Sequence, residues 1–347
     1  AFENWSFDPA SRSASRTPFV VMQPRGLGRT QLAPVQYVRL KDGALRPTNT
    51  LYLDIDMVRA HGVDDNEKTF FAEFYLSMRD RNNTASIDQI EFTNGYLDPR
   101  TNGRQITIGV LHDGKPNDAY PDNMKIYKVT GKFLFEPALT SYPFDTQRFS
   151  IDVQPKRSDA PFIVQPPPEQ LRDKNLATDG WDRKQQFVSH DEDFVPVIDP
   201  YTHVQSVVPF YKASYVWQMK RQTTDYFLRV VVPLAFILIV AYLSIFIPQS
   251  HFEAIVTIQV TALLSAVALY LSLPKLDTDT ATLSDRIFVF DYLLVSLMIV
   301  ISILMVNRHV SERPRLKLAL SVFHIIVIPI VVAAMASYLY VLGTSDF

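Results

Sequence analysis

The chain has 347 residues, a formal net charge of −2, no cysteine and 47% hydrophobic residues. Without cysteine it has no disulfide, no thiolate metal ligand and no thiolate nucleophile, and its redox compartment cannot be read. Its near-neutral charge, with no block of basic residues, argues against a nucleic-acid partner.

The chain starts at Ala1, as a processed export signal or a removed upstream segment would leave it. Residues 1–45, rich in Ser, Arg, Pro and Gly, predict a linker or an extension, with structure expected only around "PFVVMQP". Residues 46–222 then show a period of two. "LYLDIDMV" places Leu51, Leu53, Ile55 and Met57 on one face and Asp54 and Asp56 on the other. "RFSIDVQ" sets Phe149, Ile151 and Val153 against Arg148, Ser150 and Asp152. "KFLFEP" and "SYVWQMKRQ" read as further strands, separated by turn-rich links such as "LDPRTNGR" and "QPPPEQLRDKN". Short alternating strands without a helical period predict an all-β antiparallel sandwich, immunoglobulin-like in type, of roughly 170 residues.

Residues 223–347 predict a four-helix membrane domain. Its apolar runs cover about 226–247, 252–273, 287–306 and 316–342, each enough to cross roughly 30 Å of hydrocarbon. The link "NRHVSERPRLK" carries Arg308, Arg313, Arg315 and Lys317, whereas "KLDTDTATLSDR" is dominated by Asp277, Asp279 and Asp285. Basic links stay in the cytoplasm, so the sandwich and the C-terminus are expected outside, in a multi-pass protein of the plasma (inner) membrane. Asp291 and His324 lie within spans and are expected to bond helix to helix rather than relay protons. Pro233 and Pro329 are ordinary for membrane helices.

The second run is unusual. It carries Glu253 near one end and Thr257, Gln259, Thr261 and Ser265 along its length. A charge on a lipid-facing helix costs several kcal/mol unless it sees water. No HExxH, GxSxG or phosphate-cradling glycine loop is present, so an enzyme is not expected. A secondary transporter would usually show internal repeats and more spans. A non-conducting receptor or adhesion module would explain the sandwich but not the polar stripe.

One segment sharpens the reading. "FEPALTSYPFDTQRF", from Phe135 to Phe149, resembles the signature loop of the pentameric ligand-gated ion channels, the Cys-loop receptor superfamily. Two cysteines flank that loop in animal receptors; their positions match Phe135 and Phe149, as in cysteine-free bacterial members. "TFFAEFYLSMRDRN" resembles an early strand of the family, with Asp80-Arg81-Asn82 where Trp-x-Asp is usual. "RQTTDYFLRVVVP" resembles the approach to the first span, and "SLPK" the outer end of the pore helix. The resemblance covers about residues 45–347.

It implies a homopentamer around a central pore in a lipid bilayer, conducting monovalent cations, with each second span facing the axis. An anion-selective channel of the same fold is the alternative. Aligning "SLPK" without a gap turns Glu253, Thr257, Val260, Leu264 and Val267 to the pore, on one helix face covering about 21 Å of rise. A three-residue deletion would instead give Glu253, Val256, Val260, Leu263, Val267 and Tyr270. Tyr142, Pro143, Phe144 and Asp145 are expected against the link that begins at Leu273, Pro274 and Lys275, with Arg221 paired to Asp145. The agonist is left open between a small molecule, a proton and a divalent cation. Tyr75, Phe194 and Tyr201 match places around the family's aromatic box, whereas "PKRSDAPF" lacks an expected aromatic. No cofactor is expected beyond modulation by Ca²⁺. Asp64, Asp65 and Glu67, and Asp191, Glu192 and Asp193, are either clustered oxygen ligands for that ion or solvated loops.

Overall fold

The computed structural model describes residues 7–8, 13–14, 21–26, 29–39, 45–116, 119–121, 123–157, 162–167, 176–198, 200–203 and 205–344. Period-two patterning becomes two facing sheets. The strands are β1 (Phe7–Asp8), β2 (Ser13–Ala14), β3 (Met22–Gly26), β4 (Arg29–Leu32), β5 (Val35–Arg39), β6 (Leu45–Asp64), β7 (Thr69–Arg79), β8 (Ile90–Phe92), β9 (Ile106–Asp113) and β10 (Met124–Leu134). Then come β11 (Thr146–Pro155), β12 (Phe162–Gln165), β13 (Ala177–Thr178), β14 (Trp181–Ile198) and β15 (Gln205–Arg221). One sheet runs β12-β6-β7-β10-β9, with β5 and β13 also on β6; the other runs β14-β15-β11-β8. Most pairs are antiparallel, but the short β12 and β13 pair parallel with β6.

Alternation decides what enters the core. β7 buries Phe70, Ala72, Phe74, Leu76 and Met78, and β6 buries Leu51, Leu53, Ile55 and Met57. From the other sheet come Phe149, Ile151 and Val153 of β11 and Ala213, Tyr215, Trp217 and Met219 of β15. The rings of Phe135 and Phe149 meet edge to face, with centroids 5.1 Å apart. Such a pair is worth about 0.5–1.5 kcal/mol beyond its buried area. Apolar contact thus closes the loop from Phe135 to Phe149.

Structure in residues 1–45 extends past "PFVVMQP": β3 and β4 form a hairpin, and β5 adds to β6 with Val35 opposite Asn49. Buried Gln36 secures this segment through its amide. It donates to the Val21 and Ala33 carbonyls at 2.8 and 2.9 Å and accepts from the Val21 N–H at 2.9 Å.

Four helices follow, Thr224–Phe246, Gln249–Ser272, Leu283–Val306 and Pro314–Leu342, each long and apolar enough to cross a membrane. The chain therefore reads as a multi-pass membrane protein. The third span starts at Leu283 rather than near 287, because Thr282 and Asp285 form a reciprocal capping box among polar residues. A hydropathy pattern cannot see that turn. The first and fourth spans each contain a π-helical turn, Phe227–Val231 and Phe323–Val327, shortly before Pro233 and Pro329. A proline has no N–H to give and crowds the carbonyl four residues earlier. For Pro329 that carbonyl belongs to Ile325, and the Tyr242 hydroxyl of the first span donates to it at 3.2 Å. His324 stacks on the same tyrosine, ring centroids 5.4 Å apart, and its Nε2 lies 3.4 Å from the Tyr242 carbonyl oxygen. Its Nδ1 has no partner among the described residues, nor does Oδ2 of buried Asp291.

Candidate functional site

The sandwich meets the membrane helices at a cluster centred on Arg221, the last residue of β15. Pairing of β15 with β11 brings this end of the strand beside the loop that precedes Thr146, and the Arg221 N–H donates to the Asp145 carbonyl at 3.1 Å. The side chain then forks onto the same residue: Nε reaches Asp145 Oδ1 at 2.9 Å, and a terminal nitrogen reaches Oδ2 at 3.1 Å. That terminal nitrogen also donates to Asp65 Oδ1 at 3.0 Å. The guanidinium lies over the rings of Trp181 and Tyr142, 4.3 and 5.0 Å from their centroids. Bidentate pairing and stacking fix the orientation of the group as well as its charge. Side-chain exposure is 17% for Arg221, 11% for Asp65 and 1% for Asp145. Gln147 completes the shell by donating to Asp145, while its amide exchanges hydrogen bonds with the Ala138 N–H and carbonyl at 2.9 and 3.1 Å.

Burial pushes the Asp65 carboxyl up from its ordinary value, more than Arg221 pulls it down. For Arg221, burial lowers the pKa, but its bonds to Asp145 and then Asp65 outweigh that, and the net shift is upward. A carboxyl whose folded pKa exceeds its unfolded one contributes stability below the unfolded value, and loses it as pH rises through the folded value. Asp65→Asn keeps an acceptor for Arg221 and removes this titration. Its stability at pH 7 is expected within about 1 kcal/mol of the parent. The parent should gain on the variant as pH falls toward about 4, near the ordinary carboxyl value. Melting temperatures of both proteins at pH 7 and pH 4.5 check this. A shift in the opposite direction would mean that the Arg221 contact, not burial, governs Asp65.

Two elements of the sandwich grip the helices. The loop holding Tyr142, Pro143 and Phe144 supplies carbonyls to the opening turn of the third span: Leu283 N–H donates to Thr140 and Ser284 N–H to Tyr142, each at 3.0 Å. These satisfy N–H groups that a helix start leaves unpaired. The side chain of Phe144 packs on the apolar cluster containing Val230, Leu234, Leu283 and Phe288, as does Leu273. The second grip is the turn after β6. Asp64 caps it, accepting from the Asn66 and Glu67 N–H groups at 2.9 Å each. Asn66 then clamps the link after the second span: its Nδ2 donates to the Lys275 carbonyl at 3.0 Å, and its Oδ1 accepts from the Asp277 N–H at 2.7 Å. A cavity of about 440 Å³ lies at this junction, lined by Tyr142, Tyr226, Tyr270, Pro274, Lys275 and Asp285 among others.

Tyr142, Phe144, Asp145, Arg221, Leu273 and Lys275 thus share one junction. Asp64, Asp65 and Glu67, which the sequence allows as oxygen ligands or as a solvated loop, have three separate partners: Asp64 caps a turn, Asp65 pairs with Arg221 and Glu67 with Lys132. Among the described residues no group of three or more His, Asp or Glu side chains is placed to hold a metal ion. The side chains of Asp191, Glu192, Asp193 and Phe194 lie outside the described residues. Tyr75 stands half-exposed on β7, and Tyr201 sits almost fully exposed in the turn joining β14 to β15, which belongs to the other sheet.

No known protein-family model matches the chain, and no curated protein matches it.

The second span is two-faced. Ile255, Gln259, Ala262 and Ala266 are buried along one side. Glu253, Thr257, Val260 and Leu264 are exposed on the opposite side, whereas Val267 is half-buried. Of the alternative face, Val256 and Leu263 are half-buried, and Leu263 packs against the inner apolar cluster. The single chain therefore presents the Thr257 and Leu264 face more openly. Glu253 lies in the first turn of the helix, where the dipole favours negative charge. The hydroxyls of Thr257, Thr261 and Ser265 each donate to the carbonyl four residues back, at 2.7, 2.7 and 2.8 Å. They are satisfied without water, so Glu253 is the group on this face whose charge most requires it.

Proposed function

We propose that this chain is one subunit of a homopentameric, cation-selective, ligand-gated ion channel whose pore is lined by the second span. The observation that carries the reading is the placement of Glu253. The helix turns Ile255, Gln259, Ala262 and Ala266 into its own bundle and leaves a carboxylate on the outward face, where the single chain cannot shield it. Five copies around an axis would form a hydrated carboxylate ring, which draws cations and repels anions. Val260 and Leu264 would form apolar constrictions above it, of the kind that close by dewetting.

In this reading the Arg221 cluster couples the two domains. A ligand that shifts the sandwich would act through Phe144 and the Thr140 and Tyr142 carbonyls on the third span, and through Asn66 on the link after the pore helix. The agonist would bind between subunits, where the β14–β15 turn carrying Tyr201 would face a neighbour's β7 surface carrying Tyr75. The basic link between the third and fourth spans would be cytoplasmic, with the sandwich outside.

Closed rings need repeated identical contacts. Native mass measurement in detergent or lipid is expected to give five chains of 39.6 kDa, about 198 kDa of protein. A stable monomer or dimer would remove the basis for the pore.

A further inference from the structure

Gln259 is fully buried in the second span, inside a bundle whose neighbouring side chains are mostly apolar. Its Nε2 donates to Ser244 Oγ of the first span at 2.9 Å and to Ser302 Oγ of the third at 3.0 Å. One amide therefore ties three helices together. Ser244 and Ser302 are themselves buried, and Ser244 donates onward to the Ala241 carbonyl at 2.7 Å. The remaining positions on this side, Ile255, Ala262 and Ala266, are apolar.

Apolar side chains tolerate many rotations of a membrane helix, because lipid tails are as apolar as the packing they replace. A buried amide does not. Turning the helix by one residue would carry Gln259 off both serines and into hydrocarbon, where an unpaired amide is costly. A single buried polar residue is the best-attested device for fixing helix register. The rotation at stake separates the two faces that the sequence allows, one containing Thr257 and Leu264, the other Val256 and Leu263.

We infer that Gln259 is a positioning residue that locks the rotation of the second span, holding the Thr257–Leu264 face outward against the Val256–Leu263 face. Its consequence for conduction rests on the proposed channel function; the lock itself is a property of the four-helix bundle. Gln259→Leu keeps the volume, and Ser244 already has a carbonyl on its own helix, so the variant retains a packed bundle.

The chain has no cysteine, so a single introduced one reports alone. Leu264 is 63% exposed, whereas Leu263 is half-buried in the inner cluster. Leu263→Cys and Leu264→Cys would be made separately in the full-length chain, and their modification rates by a cationic methanethiosulfonate followed by mass spectrometry. In the parent background Leu264→Cys is expected to react at least tenfold faster. With Gln259→Leu the ratio should collapse toward one or invert. Met298→Ala hollows the same core, as Met298 is fully buried, but touches no polar contact; it should lower the melting temperature and leave the ratio intact. A ratio unchanged by Gln259→Leu, one already near one in the parent, or one that Met298→Ala collapses equally overturns the lock. If neither position reacts with the cationic reagent in the parent, the channel reading fails instead. The lock is then decided by the same ratio measured with neutral N-ethylmaleimide.

Discussion

In the proposed channel, Glu253→Gln is expected to weaken a preference for Na⁺ and K⁺ over Cl⁻ and to lower single-channel conductance by about tenfold, the low end of what a focused field gives in local ion concentration. The reason is confinement. Charges that are nearly screened in bulk water act more strongly in a narrow passage with low-dielectric walls. Five carboxylates in the first turn of five helices would be the strongest fixed charge that an ion meets there. Glu253→Arg should invert the preference. Reversal potentials in asymmetric salt measure both effects. A wild-type protein that prefers anions, or a Glu253→Gln variant unchanged in selectivity and conductance, would show that this residue does not face the ion path.

The second large effect is expected at the junction, and it should be asymmetric. Arg221→Ala strands Asp145, only 1% exposed, without its cation, and breaking a buried pair in this way costs about 3–5 kcal/mol. Asp145→Ala should cost less, because Arg221 keeps Asp65 at 3.0 Å and the two aromatic rings. The double variant should be far from additive, with a coupling energy of about 1–3 kcal/mol. Denaturation of the purified protein gives the stabilities; in the proposed channel, planar-bilayer current gives opening, which both single variants should impair. Equal single costs that simply add would mean that the three charges do not act as one cluster.

Much of the architecture is legible from local pattern. The alternation in "LYLDIDMV" names the buried face of β6, because a strand has only two faces and water selects between them. The membrane runs are legible for the same reason: hydrocarbon excludes polar groups over a known length. The π-turns are partly legible too, since Pro329 must free the Ile325 carbonyl wherever the helix packs. What local pattern does not assign is the task of individual polar groups. Asp64, Asp65 and Glu67 look alike in sequence as an acidic run, yet they cap a turn, hold Arg221 and hold Lys132. Asn66, between them, carries no signal at all, although it grips both ends of Lys275–Asp277.

The sequence alone determined that four apolar spans follow a region of strands, and which faces of those strands turn inward. Each follows from the periodicity of one segment against one solvent. Only the tertiary structure decided which carboxylates Arg221 takes, which backbone Asn66 clamps, and that Gln259 turns inward to Ser244 and Ser302 while Glu253 stays outside. Those choices join residues 15 to 211 positions apart. Periodicity says which side of an element is buried. It cannot say what waits there, because a buried polar group is stabilised only by the particular partner that the fold brings to it.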